Sequence, residues 1–81
     1  MKRGTLHLMN DDFNHHVDVR NAIVDVCKVE MQDADAITIV AHMQGNCPIW
    51  EAETAELEVM KDKFSELGIN TQITEVDGEP F

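Results

Sequence analysis

Residues 6–16 read LHLMNDDFNHH, and this stretch combines the end of one element with the start of the next. Two leucines alternate with a histidine and a methionine, which is the period-two pattern of a strand with one buried face. The apolar run stops at Asn10-Asp11-Asp12, residues that favour turns because their side chains bond nearby backbone N–H groups. We predict a strand over Thr5–Met9. The turn after it is either ordinary turn chemistry or a set of polar groups that hold a ligand.

Length and composition predict one acidic domain. The 81 residues are too few for two hydrophobic cores, so we expect a single domain, 1–81, with 1–4 and 77–81 flexible. Sixteen acidic against six basic residues give a net charge of −10, which disfavours nucleic acid and anionic membranes as partners. We see neither a signal peptide nor a membrane span, and Cys27 and Cys47 form no CxxC motif. These features predict a cytoplasmic protein with two buried or half-buried thiols.

Two amphipathic helices are predicted after the turn. Apolar residues at steps of three and four indicate the first over His15–Val29, with Asn14 as its N-cap. The second covers Gln32–Gln44 and carries Asp33 and Asp35 in its first turn, where acidic groups oppose the helix dipole favourably. We expect the two helices to face each other through Val19, Ile23, Val40 and Ala41.

The rest of the chain predicts two short strands around a third helix. Pro48 lacks an N–H group, so the strand Cys47–Glu51 should be irregular or lie at an edge. Gly45 and Gly68 stand where the second and third helices should end. The third helix has Leu57, Met60, Phe64 and Leu67 on one face, and Ile69, Thr71 and Ile73 alternate as the last strand. The order β-α-α-β-α-β predicts an α+β fold, a small three-stranded antiparallel sheet with three helices mainly on one face.

The polar residues around the first turn suggest a binding site. Asn10, the two aspartates after it and His42 provide carboxamide, carboxylate and imidazole acceptors. On a chain of charge −10 these acceptors suit a ligand that is both a cation and a hydrogen-bond donor, such as an ammonium group. An apolar slot between the first two helices would take a large side chain beside it, which describes the N-terminal end of a polypeptide. The structural alternatives are a simple turn, a solvated helix start at His15-His16 and a histidine that interacts with a helix dipole.

Two motifs make the chain resemble the ClpS family, adaptors of the ATP-dependent Clp protease. Asn10-Asp11-Asp12-Phe13 and His42-Met43-Gln44-Gly45 match the family pattern and its separation, and the resemblance extends from about Leu6 to Thr74. ClpS-type adaptors are not enzymes. They present substrates that carry a destabilising N-terminal residue (N-degrons) to a Clp-type AAA+ ATPase. The resemblance implies these two partners and no cofactor, and nothing in the pattern requires more than a monomer.

The resemblance also implies roles for individual residues. Asn10, Asp11, Asp12 and His42 would bind the α-amino group of the substrate. Asn14 would bond the peptide backbone, and His16, Val19, Thr38, Ala41 and Ile69 would line the pocket for the first side chain, usually Phe, Leu, Trp or Tyr. His16 replaces a methionine of many relatives, and Thr38 and Ala41 replace bulkier apolar residues, which leaves the preferred side chain open. Glu53 matches an acidic residue of the ATPase-docking surface, and Glu58 stands in place of a partnering lysine.

Other classes of function stay open beside the adaptor. A metal-binding domain would use the histidines and cysteines, which are zinc ligands, although no pair of them has the usual spacing. A generic protein-interaction domain with the same fold is a further alternative. A hydrolase is disfavoured because no serine or cysteine lies in a nucleophile motif. The candidate metal ligands are His7, His15, His16, His42, Cys27 and Cys47.

Overall fold

The computed structural model describes residues 2–10 and 14–76. Their six elements follow the predicted order and are β1 Arg3–Met9, α1 His16–Cys27, α2 Met31–Gln44, β2 Asn46–Glu53, α3 Thr54–Glu66 and β3 Thr71–Val76. Both sheet neighbours of β1 are antiparallel to it, and the strand order is β2-β1-β3. The predicted α+β class is confirmed.

β1 is the central strand and supplies the middle of the core. Leu6 and Leu8 are fully buried, whereas His7 between them is half-buried, so the two faces of the strand differ as the alternation predicts. α2 and α3 contact the sheet, and α1 packs on these two helices. The helices therefore cover the leucine face of the sheet.

The buried residues of α2 and α3 are spaced three or four apart, and Ile23 and Cys27 of α1 are four apart, so each helix buries one face. Thr38 is the polar member of the buried stripe of α2, and its hydroxyl donates to the Ala34 carbonyl oxygen at 2.8 Å. This bond means that Thr38 brings no unpaired hydroxyl into the core. The buried residues are Ala22, Ile23 and Cys27 in α1, Ala34, Thr38 and Ala41 in α2, and Leu57, Met60 and Phe64 in α3.

The prediction that Asn14 caps α1 is wrong. His15 occupies the N-cap position and makes no side-chain cap bond. The Asn14 Nδ2 group instead donates to the Gly68 carbonyl oxygen at 2.8 Å. The Asn14 side chain therefore makes a tertiary hydrogen bond in place of the predicted local cap.

Other element ends also differ from the predicted ones. Leu67 follows the last residue of α3 and is 51% exposed, so it does not extend the buried stripe of that helix. Ile69 is buried but precedes β3. Asp33 lies in the first turn of α2, whereas Asp35 lies beyond it because the helix begins at Met31.

β2 is an edge strand with an irregular register, as Pro48 predicts. Leu6 pairs with Trp50 and His7 pairs with Pro48, so Ile49 is an extra residue on the β2 side. Proline offers no N–H group to the ladder, and the bulge accommodates it.

The two cysteines are free, buried thiols. Burial raises the pKa of the Cys27 thiol from its ordinary value to about 11 and also raises the pKa of the Cys47 thiol. Both groups are therefore protonated and weakly nucleophilic at neutral pH.

No helix in the described part of the chain is long and apolar enough to cross a membrane.

Replacing Ile23 with alanine should destabilise the fold by about 2–5 kcal/mol, because its side chain is 0% exposed and its loss leaves a cavity. Ile39→Ala is the matched control, since it makes the same change within a helix at a side chain that is 44% exposed. Urea unfolding followed by circular dichroism measures both variants. Equal losses would contradict the burial that the structure assigns to α1.

The free energy of unfolding should fall as the pH rises from about 9 to about 11. In this range the unfolded chain releases the Cys27 proton while the folded chain retains it, because burial raises the folded pKa from 9.0 to about 11. The free energy of unfolding of the Cys27→Ala protein should fall less steeply with pH, and the two slopes should differ by up to about 1.4 kcal/mol per pH unit. Denaturant unfolding of both proteins at several alkaline pH values tests this, and lysine ionisation cancels in the comparison. Parallel pH profiles would refute it.

Candidate functional site

A cavity of about 390 Å³ opens where α1, α2 and the end of β1 meet. It brings together residues that are far apart in the sequence. All the predicted α-amino and pocket residues that the structure describes line it: Asn10, Asn14, His16, Val19, Thr38, Ala41, His42 and Ile69.

Three lining residues had no role in the sequence-based site: Leu8, Met9 and His15. The alternation of β1 places Leu8 in the core, but it does not show that the core opens into a cavity there. From the sequence, His15 was considered as part of a solvated helix start and as a candidate metal ligand. Its position just before α1 puts it at the cavity as well.

The cavity has an apolar interior and a polar mouth. Leu8, Ala41 and Ile69 are buried and form the interior together with Thr38. The exposed lining residues are all polar, and they are Asn10, His15, His16 and His42. This division suits a ligand with an apolar body and a polar end.

A backbone hydrogen bond brings Asn10 close to the end of α2. The Asn10 N–H group donates to the Gly45 carbonyl oxygen at 2.9 Å. Gly45 closes α2 in a left-handed conformation, with φ of 93°, and its own N–H group bonds the Ala41 carbonyl oxygen. His42 lies in the last turn of this helix, and both His42 and Asn10 line the cavity.

A second glycine, Gly68, bonds Asn14, just as Gly45 bonds Asn10. Gly68 has φ of 78° and accepts the hydrogen bond from the Asn14 side chain. Asn10 and Asn14 are thus each tied to a glycine that follows a helix. Asp11, Asp12 and Phe13 between them lie outside the described residues, so the roles predicted for the two aspartates stay predictions.

His16 lines the cavity and is joined to α2 by a hydrogen bond. Its Nε2 atom lies 2.5 Å from Oδ1 of Asp35, and both side chains are 41% exposed. The two residues are 19 apart in the sequence, and no local pattern connects them. The only role predicted for Asp35 from the sequence was a favourable interaction with the helix dipole.

The residues predicted for ATPase docking lie outside the cavity lining. Glu53 ends β2 and occupies the N-cap position of α3, and Glu58 is exposed within α3. His7 is also outside the cavity, and its ring bonds the Thr74 hydroxyl across β1 and β3 at 2.9 Å.

The metal-binding alternative gains no support from the described residues. Residues 2–10 and 14–76 contain no group of three or more His, Cys, Asp or Glu side chains arranged to hold a metal ion.

The model of one protein family matches residues 2–72, and its description is ATP-dependent Clp protease adaptor protein ClpS. A solved structure, Agrobacterium tumefaciens ClpS2 bound to L-phenylalaninamide, matches with a TM-score of 0.89 and 17% identity, over 93% of this chain and 98% of that chain. The search of curated proteins gave no match. The structural match shows the fold, and the family match covers most of the chain. This protein therefore belongs to the ClpS family, whose members are adaptors of the Clp protease and not enzymes.

Proposed function

We propose that this Clp adaptor captures the N-terminal residue of a substrate polypeptide in the 390 Å³ cavity and delivers the substrate to a Clp-type AAA+ ATPase. The observation that carries the proposal is the meeting of Asn10 and His42 at the mouth of an apolar cavity. Asp11 and Asp12 are proposed to add negative charge at the same end.

The α-ammonium group would bind at the mouth. The Asn10 carboxamide oxygen and a neutral His42 imidazole both accept hydrogen bonds, and an ammonium group donates them. Bonds to a charged donor are stronger than neutral ones. The net charge of −10 favours approach of a cationic group over an anionic one.

The first side chain would occupy the interior. Ala41, Ile69 and Val19 give it apolar contacts, and burial of such a side chain contributes about 1.5–3 kcal/mol. A volume of about 390 Å³ falls within the usual range of small-ligand sites. Asn14 at the rim is proposed to contact the peptide backbone.

The ligand of the similar structure supports this arrangement. Agrobacterium tumefaciens ClpS2 binds L-phenylalaninamide, which has a free α-amino group and an aromatic side chain. Both parts of that ligand have a counterpart in the mouth and the interior of the cavity described here. Peptides that begin with Phe, Leu, Trp or Tyr are therefore the ligands to compare.

His42→Ala should weaken the binding of such peptides by about 1–3 kcal/mol, because one acceptor for the charged amino group is lost. Fluorescence anisotropy with peptides labelled at the C-terminus measures the affinity, and each peptide is compared with its N-acetylated form. Acetylation should abolish binding, since it removes the charge and two of the donors.

His7→Ala is the control for this measurement, because it removes a histidine outside the cavity. It should leave peptide affinity unchanged. A folded His42→Ala protein with the affinity of the unsubstituted chain would rule out the proposed role of His42. If acetylated and free peptides bound equally, N-terminal capture itself would be rejected.

Glu53 and Glu58 are proposed to contact the ATPase. Glu53→Lys should then weaken binding to the purified Clp-type ATPase by roughly tenfold or more, as expected for a reversed charge at an interface, and should spare peptide binding. Glu66→Lys reverses the same charge at the end of α3 and serves as the control. Biolayer interferometry gives the ATPase affinities. Equal ATPase binding by the Glu53→Lys and Glu66→Lys proteins would remove Glu53 from the docking surface.

A further inference from the structure

The hydrogen bond between His16 and Asp35 lies away from the end of the cavity that holds His42, because Asp35 precedes His42 on α2 by about 10 Å along the helix axis. His16 lines the cavity, whereas Asp35 does not. The two belong to different helices, α1 and α2, and their atoms Nε2 and Oδ1 are 2.5 Å apart. An ion pair with 41% of each side chain exposed contributes little to folding. The main effect of the bond is to hold the imidazole in one place.

The bond also selects which ring nitrogen carries the hydrogen. An ionised carboxylate can only accept, so the hydrogen lies on Nε2 of His16 when it faces Asp35. In the neutral ring Nδ1 is then the acceptor, as when a second partner fixes the tautomer of a histidine. Among the described residues Nδ1 of His16 makes no hydrogen bond. Because His16 lines the cavity, its side chain combines a cavity position with an acceptor nitrogen that has no partner among the described residues.

The interior offers few other partners for a polar group. Leu8, Ala41 and Ile69 have no polar side-chain atoms, and the Thr38 hydroxyl hydrogen is already donated to the Ala34 carbonyl oxygen. A hydroxyl buried there without a partner would lose its bonds to water at a cost in affinity. The Thr38 oxygen can still accept a hydrogen bond, and an acceptor nitrogen on His16 adds a second partner that favours a first side chain with a hydroxyl.

We propose that Asp35 is a positioning residue that fixes His16 as the acceptor for a hydroxyl on the first side chain, so that the chain prefers N-terminal tyrosine to phenylalanine. This inference rests on the proposed capture of an N-terminal residue. A purely apolar cavity would show the opposite preference, since the two side chains differ only by the hydroxyl.

The test compares two peptides that are identical except for Tyr or Phe at the first position. Fluorescence anisotropy gives both dissociation constants for the unsubstituted chain, for Asp35→Ala and for His16→Ala. The unsubstituted chain should bind the Tyr peptide about 3–10-fold more tightly, the range of one net hydrogen bond. Both variants should bring the ratio to one or below.

Asp33→Ala is the matched control, because it removes the same charge from the same helix at an exposed site away from His16. It should keep the Tyr preference. Nitrogen-15 NMR of the histidine rings gives a readout that a merely structural role would not change: His16 should be protonated at Nε2 in the unsubstituted chain and should lose this fixed tautomer in Asp35→Ala.

The possible failures are distinguishable. Binding of both peptides with a ratio near one, or a preference for Phe, overturns the inference and leaves N-terminal capture standing. A Tyr preference that survives in a folded Asp35→Ala protein overturns the role of Asp35. Failure to bind either peptide overturns the proposed function and this inference together.

Discussion

The hydrogen bond from the Asn10 N–H group to the Gly45 carbonyl oxygen fixes the geometry on which the cavity depends. It joins the end of the central strand to the end of α2, and it brings Asn10 and His42 together although they are far apart in the sequence. Gly45 can accept this bond while closing the helix because glycine adopts a left-handed conformation without a steric penalty. One residue thus ends a helix and positions two candidate ligand-binding groups.

Gly68 resembles Gly45 in this respect, because it also follows a helix and its carbonyl oxygen accepts a hydrogen bond from an asparagine, Asn14. The glycines that follow α2 and α3 therefore bond Asn10 and Asn14, and both asparagines line the cavity. Groups held on helix ends and on the central strand lose little freedom when a ligand binds, because the fold has already ordered them. The fold contributes to the proposed affinity through this preorganisation as well as through direct contacts.

Much of the fold follows from local patterns in the sequence. The alternation around Leu6, the three- and four-residue spacing around Phe64 and the glycine at position 45 each reflect a constraint that acts within one element. The order of elements and the irregular edge strand were predicted for that reason. Burial of Leu67 was not predicted correctly, because whether a residue at a helix end stays on the buried face depends on where the helix stops.

The candidate site was predictable as a set of residues but not as a set of contacts. The family resemblance supplied the residues that the cavity brings together, and their roles stay predictions. Asparagine is a residue type that often caps helices, yet the Asn14 side chain bonds Gly68, 54 residues away. The pairing of His16 with Asp35 likewise depends on how two helices pack. Long-range contacts of this kind leave no periodic signal in a sequence.

The bulge at Ile49 and the missing N–H group of Pro48 affect how the β2 edge can pair with strands of other polypeptides. Adaptors of a protease work beside polypeptides on their way to being unfolded, and loose strands of such chains add readily to a regular sheet edge. The edge formed by β2 is a poor template for that addition. Irregularity at this position therefore disfavours the addition of a foreign strand at the β2 edge of the sheet.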